Sequence, residues 1–105
     1  MTRELLAFYI TFPNKDIAKK ICDDLISSKL IACSNILDIE SAYWWKSEVQ
    51  REDEVLALIK TSSHLKEEII SQIEHAHPYE VPCIVHWPVQ ANESYRNWVF
   101  ESVKD

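Results

Sequence analysis

His75 and His77 stand two residues apart, immediately before Pro78. Imidazole nitrogens ligate copper and zinc, and thiolates prefer soft or borderline metals. The candidate metal ligands are therefore His77, Cys33, His75 and Glu52, the last from the acidic run Glu52-Asp53-Glu54. Each has a plainer reading. Side chains at i and i+2 of a helix diverge, so only an extended chain would bring both imidazoles to one side. A histidine at a helix C-terminus also serves the unpaired carbonyls there. Cys33 starts an extended stretch with no basic neighbour in sequence to activate its thiol. Glu52 and Glu54 alternate along one strand face, where they suit a hard cation or simply a solvated surface with Arg51 as partner.

Tyr43-Trp44-Trp45 is the most unusual local feature. Alternation along a strand puts Trp44 opposite Tyr43 and Trp45, so both faces of the ribbon carry large aromatics. In a lone chain one of those faces is an exposed apolar patch, which points to a subunit interface with a pocket at its edge. Lys60, at the far end of the returning strand, could hold an anion or be a simple edge charge.

Composition narrows the chemistry further. The chain of 105 residues contains no glycine. A Walker-type phosphate loop, a dinucleotide fingerprint, a nucleophile elbow and an Asn-Gly hairpin all require glycine, and all are excluded. The net charge of −6 argues against nucleic acid and against an anionic membrane surface. Three cysteines with no C-x-x-C spacing do not make a disulfide framework. The early apolar run Leu5 to Ile10 is too short for a membrane span or a signal-peptide core. The expectation is a cytoplasmic, reduced, soluble protein of one domain over 1–105.

The elements that must position these residues follow from periodicity. Glu4 to Phe12 reads as a buried strand, ended by Pro13. Asn14 caps a helix whose Ile17, Ala18, Ile21, Cys22, Leu25 and Ile26 form one apolar stripe. Leu30 to Trp45 is extended, with a bulge near Asp38 as one option, and Lys46-Ser47 is a turn. Glu48 to Thr61 returns as a strand, polar first and apolar later. Ser62 or Ser63 caps a second helix, with Leu65, Ile69, Ile70 and Ile73 on its inner face. Pro78 ends that helix after His77. Cys83 to Pro88 is a short strand, and Asn92 caps a last helix through Ser102. The order β-α-β-β-α-β plus a C-terminal helix predicts an α+β, ferredoxin-like sandwich. Two helices cover one sheet face, and subunit association covers the other.

Leu30-Ile31-Ala32-Cys33-Ser34-Asn35 resembles the L-x-A-C-x-N segment of the CutA-like divalent-cation tolerance proteins. Tyr43-Trp44-Trp45, Glu54-Val55, Lys60-Thr61, His77-Pro78-Tyr79-Glu80-Val81-Pro82 and Tyr95-x-x-Trp98 resemble that family's motifs in order and spacing. The resemblance implies a homotrimer similar in plan to PII signalling proteins, with the long hairpin reaching between subunits. It implies a non-catalytic role in the response to metal ions, with weak binding of copper or another divalent cation and no required cofactor. The alternative is a PII-like trimer that binds a small molecule at the subunit interface. Tyr43, Trp44, Trp45, Glu54, Lys60, Tyr79 and Trp98 are the expected interface or pocket residues. A third class, an enzyme, stays open only because an interfacial group of His77, Tyr79 and Glu80 could do acid–base work, and no substrate is suggested. The chain departs from the copper-binding pattern of some bacterial relatives at Ile10 and Ala76, and Ser47 stands where the family's hairpin has glycine.

Overall fold

The computed structural model describes residues 3–105. Strand β1 (Leu5–Phe12) leads through Asn14 into α1 (Lys15–Ser27), whose first turn is closed by Asn14 Oδ1 accepting from the Ile17 N–H at 2.9 Å. Strands β2 (Cys33–Trp45) and β3 (Glu48–Ser62) form the hairpin. A short 3₁₀ turn (Ser63–Leu65) introduces α2 (Lys66–Ala76), and β4 (Ile84–Val89) and α3 (Glu93–Ser102) follow. The sheet order is β2-β3-β1-β4, and all pairs are antiparallel.

Register divides the sheet into two faces. Leu6, Phe8, Ile10 and Phe12 from β1, with Val55, Ala57 and Ile59 from β3, point to the side on which α1 and α2 pack. Ala18, Ile21, Cys22 and Leu25 of α1 and Ile69 and Ile73 of α2 close this core. Cys22 is pure packing: burial pushes its thiol up to about 11, so it stays protonated. The opposite face is only partly covered, and the cover comes from the chain itself. α3 lies on it, bringing the Tyr95 hydroxyl to 3.1 Å from Cys33 Sγ, with Val99 fully buried. The expectation that two helices cover one face holds; the expectation that association alone covers the other needs this addition.

Local chemistry departs from expectation in three places. The β2–β3 ladder runs without interruption from Cys33↔Lys60 to Trp45↔Glu48, so no bulge occurs at Asp38. Ser62 and Ser63 do not cap α2: Ser62 Oγ bonds His64 Nδ1 at 2.7 Å, and Ser63 Oγ accepts from the Glu4 N–H. Asn92 occupies the N-cap position of α3 but turns its amide to Ser94 Oγ instead of the helix.

Beyond Asp38↔Val55 the hairpin leaves the sheet. The pairs from Ile39↔Glu54 to Trp45↔Glu48 have no third strand beside them. This ribbon makes the molecule 44 × 24 × 23 Å, with a radius of gyration of 14.4 Å, against about 12.9 Å for a compact domain of this length. The exposed surface is 6787 Å², where a folded monomer of this mass exposes about 6100 Å². Leu37, Val85, Trp87 and Trp98 are exposed within that surplus.

Two chain reversals are made without glycine. Lys46 (φ 51°) and Ser47 (φ 69°) are both left-handed, the arrangement of a type I′ two-residue hairpin, whose twist matches that of the strands. After α1, Lys29 (φ 60°) holds the left-handed position of a Schellman end. Its N–H donates to Ile26 O, the Leu30 N–H donates to Leu25 O, and Leu25 and Leu30 are both buried. A side chain with a β-carbon costs about 1–2 kcal/mol in this conformation. Glycine at Ser47 or Lys29 should therefore raise the denaturation midpoint, the unfolding free energy gaining about 0.5–1 kcal/mol at each site after the entropy glycine adds to the unfolded chain. A lower midpoint in both variants would show that these positions are not strained.

Candidate functional site

Where the ribbon departs from the sheet, its inner face and the segment after α2 enclose an open groove of about 920 Å³. β1 contributes Tyr9 and Thr11, which alternate with the core-facing residues and so point to the other side. The ribbon contributes Ile39, Ser41, Tyr43 and Trp45 from β2, and Gln50, Glu52 and Glu54 from β3. Pro78, Tyr79, Glu80, Val81 and Cys83 form the remaining wall.

The wall is fixed to the sheet at two points. The Tyr79 hydroxyl donates to Glu54 Oε2 at 2.6 Å. Glu54 is only 6% exposed, and this hydrogen bond is what makes a carboxylate tolerable there. Burial, then the hydrogen bond to Glu54 and its negative charge, holds the Tyr79 hydroxyl far above the ordinary tyrosine range. Tyr43 is shifted the same way, by loss of water and by Glu52.

The second tie is His77. Its ring is buried, stacks on Phe12 at 5.0 Å between centroids, and lies 4.8 Å from the Tyr79 ring. Nδ1 accepts from the Tyr79 backbone N–H at 3.1 Å. Nε2 lies 2.7 Å from the Thr11 carbonyl oxygen, which can only accept, so the proton sits on Nε2. Both nitrogens are therefore occupied, and the neutral ring ties the end of α2 to the end of β1. His77 is the foremost metal ligand expected from the sequence; in this fold both of its ring nitrogens are engaged by Thr11 and Tyr79, so a metal would have to displace one of them.

The other metal candidates do not converge. Cys33 faces Tyr95 near the opposite end of β2, about 20 Å along the strand from Ile39. Burial and the Cys33 thiol push the Tyr95 hydroxyl up to about 12. His75 is exposed in the last turn of α2. Glu52 alone of the four lines the groove. Among the described residues, no three His, Cys, Asp or Glu side chains are grouped as a metal site.

Of the expected interface or pocket residues, Tyr43, Trp45, Glu54 and Tyr79 meet in the groove. Trp44 does not: it lies on the other face of the ribbon, 75% exposed, opposite Val49. Lys60 donates to Asn35 Oδ1, and Trp98 packs against Tyr95, both away from the groove. Tyr9, Thr11 and Glu40 carry no type or motif signal, and Cys83 reads from the sequence as a packing cysteine. The alternation of β1 does carry a signal for Tyr9 and Thr11, since both fall opposite its core-facing positions.

Residues 6–102 match the family described as CutA1 divalent ion tolerance protein. The chain belongs to that family. The divalent-cation tolerance protein CutA of Pyrococcus horikoshii is 37% identical over 101 residues, covering 95% of this chain and 99% of that protein. The chloroplastic protein CutA 1 of Oryza sativa is 36% identical over 102 residues, covering 95% of this chain and 58% of that protein. The solved structure of CutA1 from Oryza sativa superposes with a TM-score of 0.93 at 36% identity, over 97% of this chain and 95% of that one. The family fold is thus present here, and the ferredoxin-like expectation stands.

His77→Ala should destabilise the fold by about 3 kcal/mol, because it strips the Thr11 carbonyl and the Tyr79 N–H of their partner and leaves a cavity beside Phe12; a denaturation curve superimposable on wild type would refute the tie. Tyr79 supplies a second test. Its raised folded pKa contributes stability that is complete below pH ~10 and is lost as pH rises through the folded value. In Glu54→Gln the repelling charge is gone, so spectrophotometric titration should show Tyr79 ionising at lower pH than in the parent. An unchanged alkaline limb would show that Glu54 does not act on Tyr79.

Proposed function

We propose that this chain acts in divalent-cation tolerance as a non-catalytic homotrimer that binds copper or another divalent cation weakly and requires no cofactor. The family match across residues 6–102 carries the tolerance role. Support for assembly comes from the unaccompanied ribbon, since a two-stranded ribbon is marginal in water unless it packs on a neighbour. The exposed Leu37, Val85 and Trp87 add to it. Absence of catalysis is supported by His77, whose two nitrogens are engaged within the fold.

Weak rather than tight cation binding fits the donors present. With His77 engaged, the accessible contacts are His75 and the groove carboxylate Glu52, and neither belongs to a three-donor group. Copper or zinc with fewer than three protein ligands is held loosely. Cytoplasmic residence is supported by three free cysteines, as in a reducing compartment. No helix among the described residues is long and apolar enough to cross a membrane.

A second reading is favoured by one observation, the groove itself. Its volume and mixed aromatic and polar walls suit a small molecule, as in a PII-like trimer with ligands at subunit boundaries.

Expression of the chain in a metal-sensitive host lacking its own relative should restore growth on copper, and growth no better than with empty vector would sink the tolerance role. Light scattering at micromolar concentration should report about three times the 12.3 kDa chain mass; a monomer would overturn the trimer. Calorimetry with Cu(II) should show weak saturable binding, reduced in His75→Ala or Glu52→Gln and retained in the folded fraction of His77→Gln. Absence of saturable heat would remove direct cation binding.

A further inference from the structure

The groove is charged in one sense only. Glu52, Glu54 and Glu80 line it, Glu40 borders it from a strand position that shares the Trp44 face, and among the described residues no Lys, Arg or His lines it. None of these four carboxylates takes part in an ion pair among the described residues, although the chain forms such pairs elsewhere, at Asp24, Asp38 and Glu68. Charges of one sign converging on a concave surface with low-dielectric walls concentrate the field there. The strongest single feature is Glu54. It is 94% buried by the complement of its 6% exposure, and only Oε2 is engaged, by the Tyr79 hydroxyl. Among the described residues no side-chain polar atom sealed from solvent lacks a partner, so the unpartnered Oε1 must open to solvent, and the groove is the opening that Glu54 lines. A nearly buried carboxylate with one free oxygen aimed into a cavity is an acceptor waiting for a donor.

The aromatic walls select among cations. Tyr9, Tyr43, Trp45 and Tyr79 all line the same space. Ring faces attract ammonium groups and also cover alkyl chains. A bare divalent cation uses neither property and finds no three-donor group here. An anion meets the carboxylates of Glu52, Glu54 and Glu80. Glu52 and Glu54, two residues apart on one strand face, set carboxylates about 7 Å apart, which suits ammonium groups separated by a few methylenes.

We propose that the groove between the ribbon and the Pro78–Cys83 wall binds an elongated alkyl-amine cation, its ammonium groups on Glu54 and Glu52 and its methylene chain against Tyr43, Trp45 and Tyr79. The inference deepens the small-molecule reading above and rests on it; it is independent of the copper reading.

The test uses the full chain in its native assembly, titrated with 1,4-diaminobutane and followed by calorimetry and by tryptophan fluorescence. Succinate and 1,4-butanediol serve as probes of similar length with opposite charge and with none. Saturable binding of the diamine alone is expected, weakening as salt is raised. Glu54→Gln, which preserves the shape and the acceptor for Tyr79, should weaken it at least tenfold. The exposed Glu52→Gln should weaken it measurably without risk to folding. If succinate or the diol binds in the groove and the diamine does not, the cation class is wrong while the groove remains a ligand site. If none of the three binds, the small-molecule reading falls with it. Diamine binding unchanged in both variants would place the amine elsewhere and overturn the assignment.

Discussion

The unbroken ladder between β2 and β3 is the constraint on which the rest depends. A two-residue turn fixes the register at Trp45↔Glu48, and no bulge relaxes it before Cys33↔Lys60. Because side chains alternate, one register decision at the tip settles the side of every residue along both strands. It sends Ile36, Ala57 and Ile59 to the helices, and Tyr43, Trp45, Glu52 and Glu54 to the groove. A slip of one residue would bury Glu54 among Phe8, Ile10 and Phe12 and expose Ala57 and Ile59. The cost of that exchange, several apolar side chains at about 1.5–3 kcal/mol each plus an unpaired carboxylate, is larger than the turn strain that fixes the register.

The order of elements was legible because long periodic runs announce themselves: the stripe from Ile17 to Ile26 and the apolar second half of β3 admit few other readings. The family resemblance was legible for a different reason, since its motifs are spread along the chain in fixed order. Capping was legible only at Asn14, where the side chain has one nearby use. Ser62, Ser63 and Asn92 each had a competing partner in the fold, namely His64, Glu4 and Ser94, and took it. Only the Glu4 N–H reaches its serine through tertiary structure; His64 and Ser94 lie two residues from the side chains they engage, and residue type alone does not say which of two nearby partners wins.

The site was half legible. Tyr43, Trp45 and Glu52 are close in the hairpin, so alternation groups them. Tyr79 and Glu54 lie 25 residues apart in sequence, and their contact exists only because α2 ends against the end of β1. Trp44 shows how narrow the margin is, since one step along the strand takes an equivalent aromatic out of the groove altogether. The metal candidates failed to converge for the same reason. Residue type alone nominated them, whereas a coordination sphere needs three donors within a few ångströms.

His77 gives the structure a property that a spare ligand would not. A metal ion arriving at Nδ1 must displace the Tyr79 N–H, and one arriving at Nε2 must remove the proton that holds Thr11. Coordination at this ring and the native conformation of the Pro78–Cys83 segment are thus mutually exclusive states. By linkage, any cation that captured the imidazole would favour the opened segment over the closed one. Metal capture at His77 would consequently register as a loss of stability, the reverse of what a resident metal confers.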